Sequence, residues 1–184
     1  VSRGASPGSP PASAPAPTEA SFVVHDTPIG ALLLAVTEVG VVGVEGGDPV
    51  RALVRLEEDL GAEPVERPGA LDDVRRQLDE YFEGRRRTFD LALDARRSHG
   101  FYREVLEEVV HIPWGEVVSY GDLAAMSGRP RAARAAGTAM ASNPITVIRP
   151  CHRVVHADGR LGGYGGRPEV KRYLLELEGV KLPR

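Results

Sequence analysis

The residues best suited to chemistry sit together in Pro150-Cys151-His152-Arg153-Val154-Val155. Cys151 is the only cysteine in the chain, and a histidine stands beside it. A thiol of ordinary pKa, about 8.5, is only about a few per cent thiolate at neutral pH. A nucleophilic Cys151 therefore needs a base, and the base needs a third group to orient it. In an extended segment adjacent side chains point to opposite faces. Cys151 and His152 cooperate only if the backbone turns there, as Pro150 and the following loop allow. Glu176 and Glu178, further along, are the carboxylates able to orient His152. A lone cysteine is equally at home as an inert core residue, so both readings stay open at this level. The glycines from Gly159 to Gly166 mark a loop that something must approach closely.

The elements that must position this stretch are legible in outline. Residues 1–20 are mostly Pro, Ala, Ser and Gly, which cannot bury enough surface to offset ordering entropy, and are read as a disordered leader. Apolar runs at Phe22–Val24, Ala31–Thr37 and Val39–Glu45, separated by turn residues, predict two or three strands in a meander. Helical periodicity follows in Val50–Leu60 and Ala70–Phe82. Phe89–Leu93 alternates like a strand. Residues 21–94 are thus expected to form an N-terminal α/β domain, and 95–100 a linker.

Residues 101–184 read as a mainly α C-terminal domain. Phe101–Val110 carries one apolar face, and Ile112-Pro113-Trp114-Gly115 breaks that helix, with Trp114 as a packing anchor between the two units. Ser119 suits the N-cap of a helix over Tyr120–Met126. A turn at Gly128-Arg129-Pro130 and a second helix over Arg131–Ala141 complete a helix-turn-helix outline. That second helix is nearly all small residues, including Ala133, Ala135 and Gly137, with Arg131 and Arg134 its long side chains. Small residues bring a backbone close to a surface: a narrow DNA groove, or a tightly packed neighbouring helix. Thr146–Ile148 is expected to be a buried extended run into Cys151, and Val170–Glu178 a closing helix.

The formal net charge of −3 hides an uneven distribution. Residues 129–172 hold nine basic side chains and two acidic ones, a local net of +7 around Cys151 that favours a polyanionic partner. One cysteine excludes an internal disulfide and a thiolate-rich zinc site. No apolar run approaches the ~18 residues that would span a membrane. The other histidines are scattered, and no metal site is expected. A cytoplasmic protein follows from these absences as an expectation.

With those residues in place, the chain resembles the O6-alkylguanine-DNA alkyltransferases. PCHRVV (Pro150–Val155) is similar to that family's active-site signature. The likeness continues through Ile112–Ala124, Gly128–Pro144 and Gly162–Val180, and more weakly through Thr27–Val44. It implies a small ribonuclease-H-like sheet with helices, followed by the helix-turn-helix domain. It implies that Cys151 accepts the alkyl group, that His152 takes the thiol proton through a water, and that Glu178 polarises His152. Asn143 would hold the hinge between helix-turn-helix and active-site segment. Arg134 would fill the gap left by a flipped nucleotide, and Tyr120 would help rotate that nucleotide and donate to the base.

Tyr164, Gly165 and Val154 would form the base pocket, and Ala133, Ala135, Gly137 and Arg153 would join Arg134 and Tyr120 in contacting DNA. The substrate would be O6-alkylguanine, with O4-alkylthymine beside it, in duplex DNA entered from the minor groove. No cofactor, metal or obligate protein partner is expected, and the protein is expected to act as a monomer. Two departures stand out: Arg149 replaces a usually aliphatic residue, and His99-Gly100-Phe101-Tyr102 replaces the common start of the first C-terminal helix. Non-catalytic DNA binding, or hydrolysis by a Cys–His pair, are the rival readings.

Overall fold

The computed structural model describes residues 18–181. The leader up to residue 17 lies outside the described residues. Residues 18–20, assigned to that leader by composition, are held in place. The Thr18 amide donates to the Leu60 carbonyl, and Ala20 is buried against the far side of the sheet.

The N-terminal domain is a four-stranded sheet with one helix on each face. Strands β1 (Ser21–His25), β2 (Leu32–Val36) and β3 (Val41–Gly46) form the expected meander. A short β4 (Val65–Glu66) adds parallel to β1, giving the order β3-β2-β1-β4. Central β2 reads Leu-Leu-Leu-Ala because both its faces are covered. Leu33 and Ala35 face α1 (Pro49–Leu60), whereas Leu32 and Leu34 face α2 (Asp72–Phe82). Helix α1 starts where the Asp48 side chain accepts from the Val50 amide and stops at left-handed Gly61.

Phe89–Leu93 is not a strand. Gln77 takes its place as partner: its side chain accepts from the Asp90 amide and donates to the Asp90 carbonyl. Only Leu93 bridges the sheet, in parallel with Val41. The segment at 95–100 is pinned rather than loose. The Arg97 side chain is buried and pairs with Glu45 at 2.5 Å and Asp59 at 2.7 Å.

The C-terminal domain is helical, with α3 (Gly100–Glu108), α4 (Tyr120–Met126), α5 (Ala133–Ala141) and α6 (Pro168–Leu177). Val105, Leu106, Leu123, Ala136 and Ala139 form its core together with Cys151 and Val154. The two domains share a third cluster: Val74, Leu78 and Tyr81 of α2 pack with Ile145, Ile148 and α6. Trp114 meets the Tyr81 ring edge-on at 5.3 Å, which makes it the packing anchor expected. Among the described residues no helix is long and apolar enough to cross a membrane.

Arg149 is the sharpest departure from ordinary packing. It is 2 % exposed, and its Nε and Nη1 have no hydrogen-bond partner. Burial pulls its pKa down, and Glu107 opposes this only in part. A buried, unpaired guanidinium is costly. Arg149→Met, which keeps the apolar stem, should raise stability by about 1–3 kcal/mol in urea unfolding. An unchanged or lower midpoint would show that the charge is compensated.

Candidate functional site

The hinge before Cys151 aims the rest of the site. Thr146–Ile148 is not extended. Val147 has φ +70°, a left-handed value that costs a β-branched residue about 1–3 kcal/mol. Asn143 holds this turn from inside: its Oδ1 accepts from the Ile145 amide at 3.0 Å, and its Nδ2 donates to the Arg149 carbonyl at 2.9 Å. The Arg149 amide closes the turn on the Ile145 carbonyl. Short β5 (Val118–Ser119) then pairs in parallel with β6 (Val154–Val155). The strand that follows Cys151 is thereby fastened beside Ser119, the N-cap of α4.

Pro150 leads into a single 3₁₀ turn over Cys151–Arg153, so Cys151 and His152 do not diverge as they would in a strand. His152 is fully buried and its Nε2 lies 2.8 Å from Glu178 Oε1. That bond fixes the Nε2–H tautomer and leaves Nδ1 as an acceptor; Nδ1 is buried without a partner. Glu178, not Glu176, is the carboxylate behind the histidine. Burial works to raise its pKa, but bonds from His152, Arg153 and Tyr81 outweigh this and hold it at about 2. Burial also pulls His152 down, against the opposing effect of Glu178.

Arg153 is not available to DNA. Its guanidinium is buried, donating to Glu178 at 2.8 and 2.9 Å and to the Ile112 carbonyl at 2.6 Å. Val154 is likewise not a pocket residue: its side chain is wholly buried in the helical core. Its carbonyl instead accepts from Lys171 Nζ at 2.6 Å.

Cys151 opens into a cavity of about 440 Å³. Tyr120, Gly137, Asn143, Tyr164 and Gly165 line it, and Ile29, Met140 and Val170 supply apolar wall. Gly162 is required here: its φ is +74°, and a Cβ would stand 2.7 Å from the Tyr120 hydroxyl oxygen. Arg167 ends the Gly-rich loop by donating to the Ile29 carbonyl, which ties the loop to the N-terminal domain. Burial pushes the Cys151 thiol up, while the Asn143 amide, the Lys171 ammonium and the Tyr164 hydroxyl pull the other way. Lys171 is held down at about 8 by burial, with Cys151 opposing. Burial raises the Tyr120 and Tyr164 phenols, and the nearby Cys151 adds to this, so both keep their protons.

Helix α5 uses its small residues in two ways. Ala136 and Ala139 are buried in the helix–helix core, whereas Ala133, Ala135 and Gly137 are half-buried on the remaining faces. Arg134 is exposed in the first turn and has no ion-pair partner among the described residues. Of the nine basic residues in 129–172, Arg149, Arg153 and Lys171 are buried. The accessible field is therefore weaker than the count suggests.

Sequence reasoning missed Tyr81 and Lys171. Lys171 left a signal: it sits among Val170, Leu174 and Leu175 on the buried face of α6. Tyr81 left none, since an aromatic on an amphipathic helix reads as core. Among the described residues no cluster of three His, Cys, Asp or Glu is arranged to hold a metal.

Residues 22–95 match the family described as 6-O-methylguanine DNA methyltransferase, ribonuclease-like domain, and residues 100–180 match its DNA binding domain. The methylated-DNA–protein-cysteine methyltransferase of Mycolicibacterium paratuberculosis is 43 % identical over 158 residues, covering 83 % of this chain and 88 % of that protein. The protein of that name from Methanosarcina barkeri is 39 % identical over 157 residues, covering 85 % and 96 %. The crystal structure of Mycobacterium tuberculosis OGT in complex with DNA is similar with a TM-score of 0.75 at 38 % identity, covering 86 % and 93 %. With both domains matched and relatives aligned along nearly their whole length, the chain belongs to the methylated-DNA–protein-cysteine methyltransferase family.

Proposed function

We propose that this protein repairs alkylated duplex DNA by moving the alkyl group from the guanine O6, or the thymine O4, onto Cys151. The observation that carries this is one continuous arrangement. Glu178 holds His152, and His152 follows Cys151 in a tight turn. Cys151 in turn opens into a cavity shared with Gly137 of the small-residue helix and the Gly-rich loop.

A stacked base is out of reach of a buried thiol, so the nucleotide must leave the stack, at a cost of a few kcal/mol. Arg134, exposed and uncommitted, fills the gap, while Ala133, Ala135 and Gly137 allow α5 to approach from the minor groove. His152 Nδ1 takes the thiol proton through a bridging water. The thiolate pair forms the S–C bond as the C–O bond breaks, and its electrons remain on the base. The Tyr120 hydroxyl and the Gly165 amide stabilise that oxygen until a proton is taken up. The product is a thioether with no good leaving group and no second nucleophile to cleave it, so each protein acts once. The residues need no cofactor, and the protein works as a monomer in the cytoplasm, where DNA and a reduced thiol coexist.

Titration with methylated duplex should plateau at one methyl group per protein. Cys151→Ser should still bind the duplex and leave it methylated. Transfer beyond one equivalent, or repair by Cys151→Ser, would contradict this reading.

A further inference from the structure

Glu178 Oε1 carries more hydrogen bonds than orienting a histidine requires. It accepts from His152 Nε2 at 2.8 Å, from Arg153 Nη2 at 2.9 Å, and from the Tyr81 hydroxyl at 2.7 Å. Tyr81 belongs to α2 of the N-terminal domain, whereas the other three residues are C-terminal. Its oxygen also lies 3.4 Å from His152 Nε2. The ring is wholly buried and wedged between Phe82, Phe89 and Trp114, so the hydroxyl has little freedom to leave.

We propose that Tyr81 is a positioning residue that tempers His152: its hydroxyl drains charge from the shared carboxylate oxygen and so limits how strong a base the histidine becomes. This rests on the reading of Cys151 as an alkyl acceptor activated through His152. A carboxylate oxygen spreads its charge over the donors it serves. When one donor is removed, more charge falls on the His152 Nε2–H bond, and the imidazolium gains. Proton transfer from Cys151 then proceeds further at a given pH. The other charged or titratable groups acting on the pair and on Tyr81 are Arg153 from the 3₁₀ turn, Lys171 from α6, and Tyr164 from the Gly-rich loop. Among these described neighbours, both cations disfavour the imidazolium and Glu178 is the one carboxylate supporting it. The strength of that carboxylate is thus the adjustable quantity. Burial and the neighbouring Glu178 raise the Tyr81 phenol, so it remains a donor throughout. The N-terminal domain would by this route restrain the thiol through the histidine.

Cys151 is the sole thiol, so its reaction with iodoacetamide reports thiolate formation without DNA. The quantity to compare is the rate at neutral pH divided by its high-pH limit. In Tyr81→Phe this ratio should rise by roughly three- to tenfold, an upward shift of up to about one pKa unit in His152. Fluorotyrosine at position 81, a stronger donor that keeps the ring, should lower it. Phe89→Leu, which loosens the packing around the Tyr81 ring and leaves its hydroxyl in place, should lower stability and leave the ratio alone. An unchanged or reduced ratio in Tyr81→Phe, or both Tyr81 variants moving it the same way, would overturn the proposal. Should Tyr81→Phe fail to fold, the sign of the fluorotyrosine effect decides. Failure of the parent protein to transfer methyl from duplex DNA would overturn the functional reading, while the iodoacetamide ratio would still judge Tyr81.

Discussion

Glu178→Gln should lose about 3–5 kcal/mol of stability and slow alkyl transfer by about 100-fold or more. The stability loss follows from Arg153. Its Nε and Nη2 both donate to Glu178, and it is buried. A glutamine amide presents N–H donors to a guanidinium that has only donors, which leaves a buried cation without a counter-charge. The rate loss follows from His152, whose Nε2–H would then face a neutral carbonyl, so the imidazolium formed on proton transfer loses its support.

The pH dependence has a definite sign. Glu178 sits at about 2 in the fold, below its ordinary value of 4.5. Its contribution is complete above about 4.5 and disappears as the pH falls toward 2. The stability gap between parent and variant should therefore close in acid through that window. Urea unfolding as a function of pH checks the first claim, and single-turnover transfer at neutral pH checks the second. A gap that persists undiminished through the acid window would mean that Glu178 acts by shape and not by charge.

Arg134→Ala should slow repair of methylated duplex by about 30-fold while leaving reaction with free O6-alkylguanine unchanged. Arg134 has no ion pair among the described residues, is exposed, and stands in the first turn of α5. Losing it should cost the fold little. If it offsets ~2 kcal/mol of the unstacking cost, the flipped state becomes about 30-fold rarer. A free base needs no flipping, so the two substrates separate this role from any effect on the thiol. Equal losses on both would place Arg134 in the chemistry or in folding instead.

Much of this arrangement was legible in the chain. The strand meander follows from apolar runs between turn residues, and α4 from Ser119. Residue type offers Cys151 and His152 with Glu176 or Glu178 behind them, and the family resemblance singles out Glu178. The rest depends on polar partners that the local pattern does not record. Arg153 is a DNA contact by the family resemblance, yet it is buried because a carboxylate 25 positions later needs a counter-charge. Thr146–Ile148 is β-branched and reads as a strand, yet Asn143 forces it into a turn. Phe89–Leu93 alternates correctly, but a single Gln77 side chain occupies its backbone. In each case a polar partner overrides a local pattern, from six positions away for Asn143 and Arg149 to 25 for Arg153 and Glu178, and one-dimensional periodicity carries no record of such partners. Tyr81 belongs to the same class, since its hydroxyl reaches a partner 97 positions away.

The most direct test is the mass of the Cys151 peptide after incubation with duplex DNA carrying O6-methylguanine. The expected result is a peptide heavier by one CH2, in step with loss of methyl from the DNA and limited to one equivalent. An unmodified Cys151 beside DNA that keeps its methyl group would contradict it.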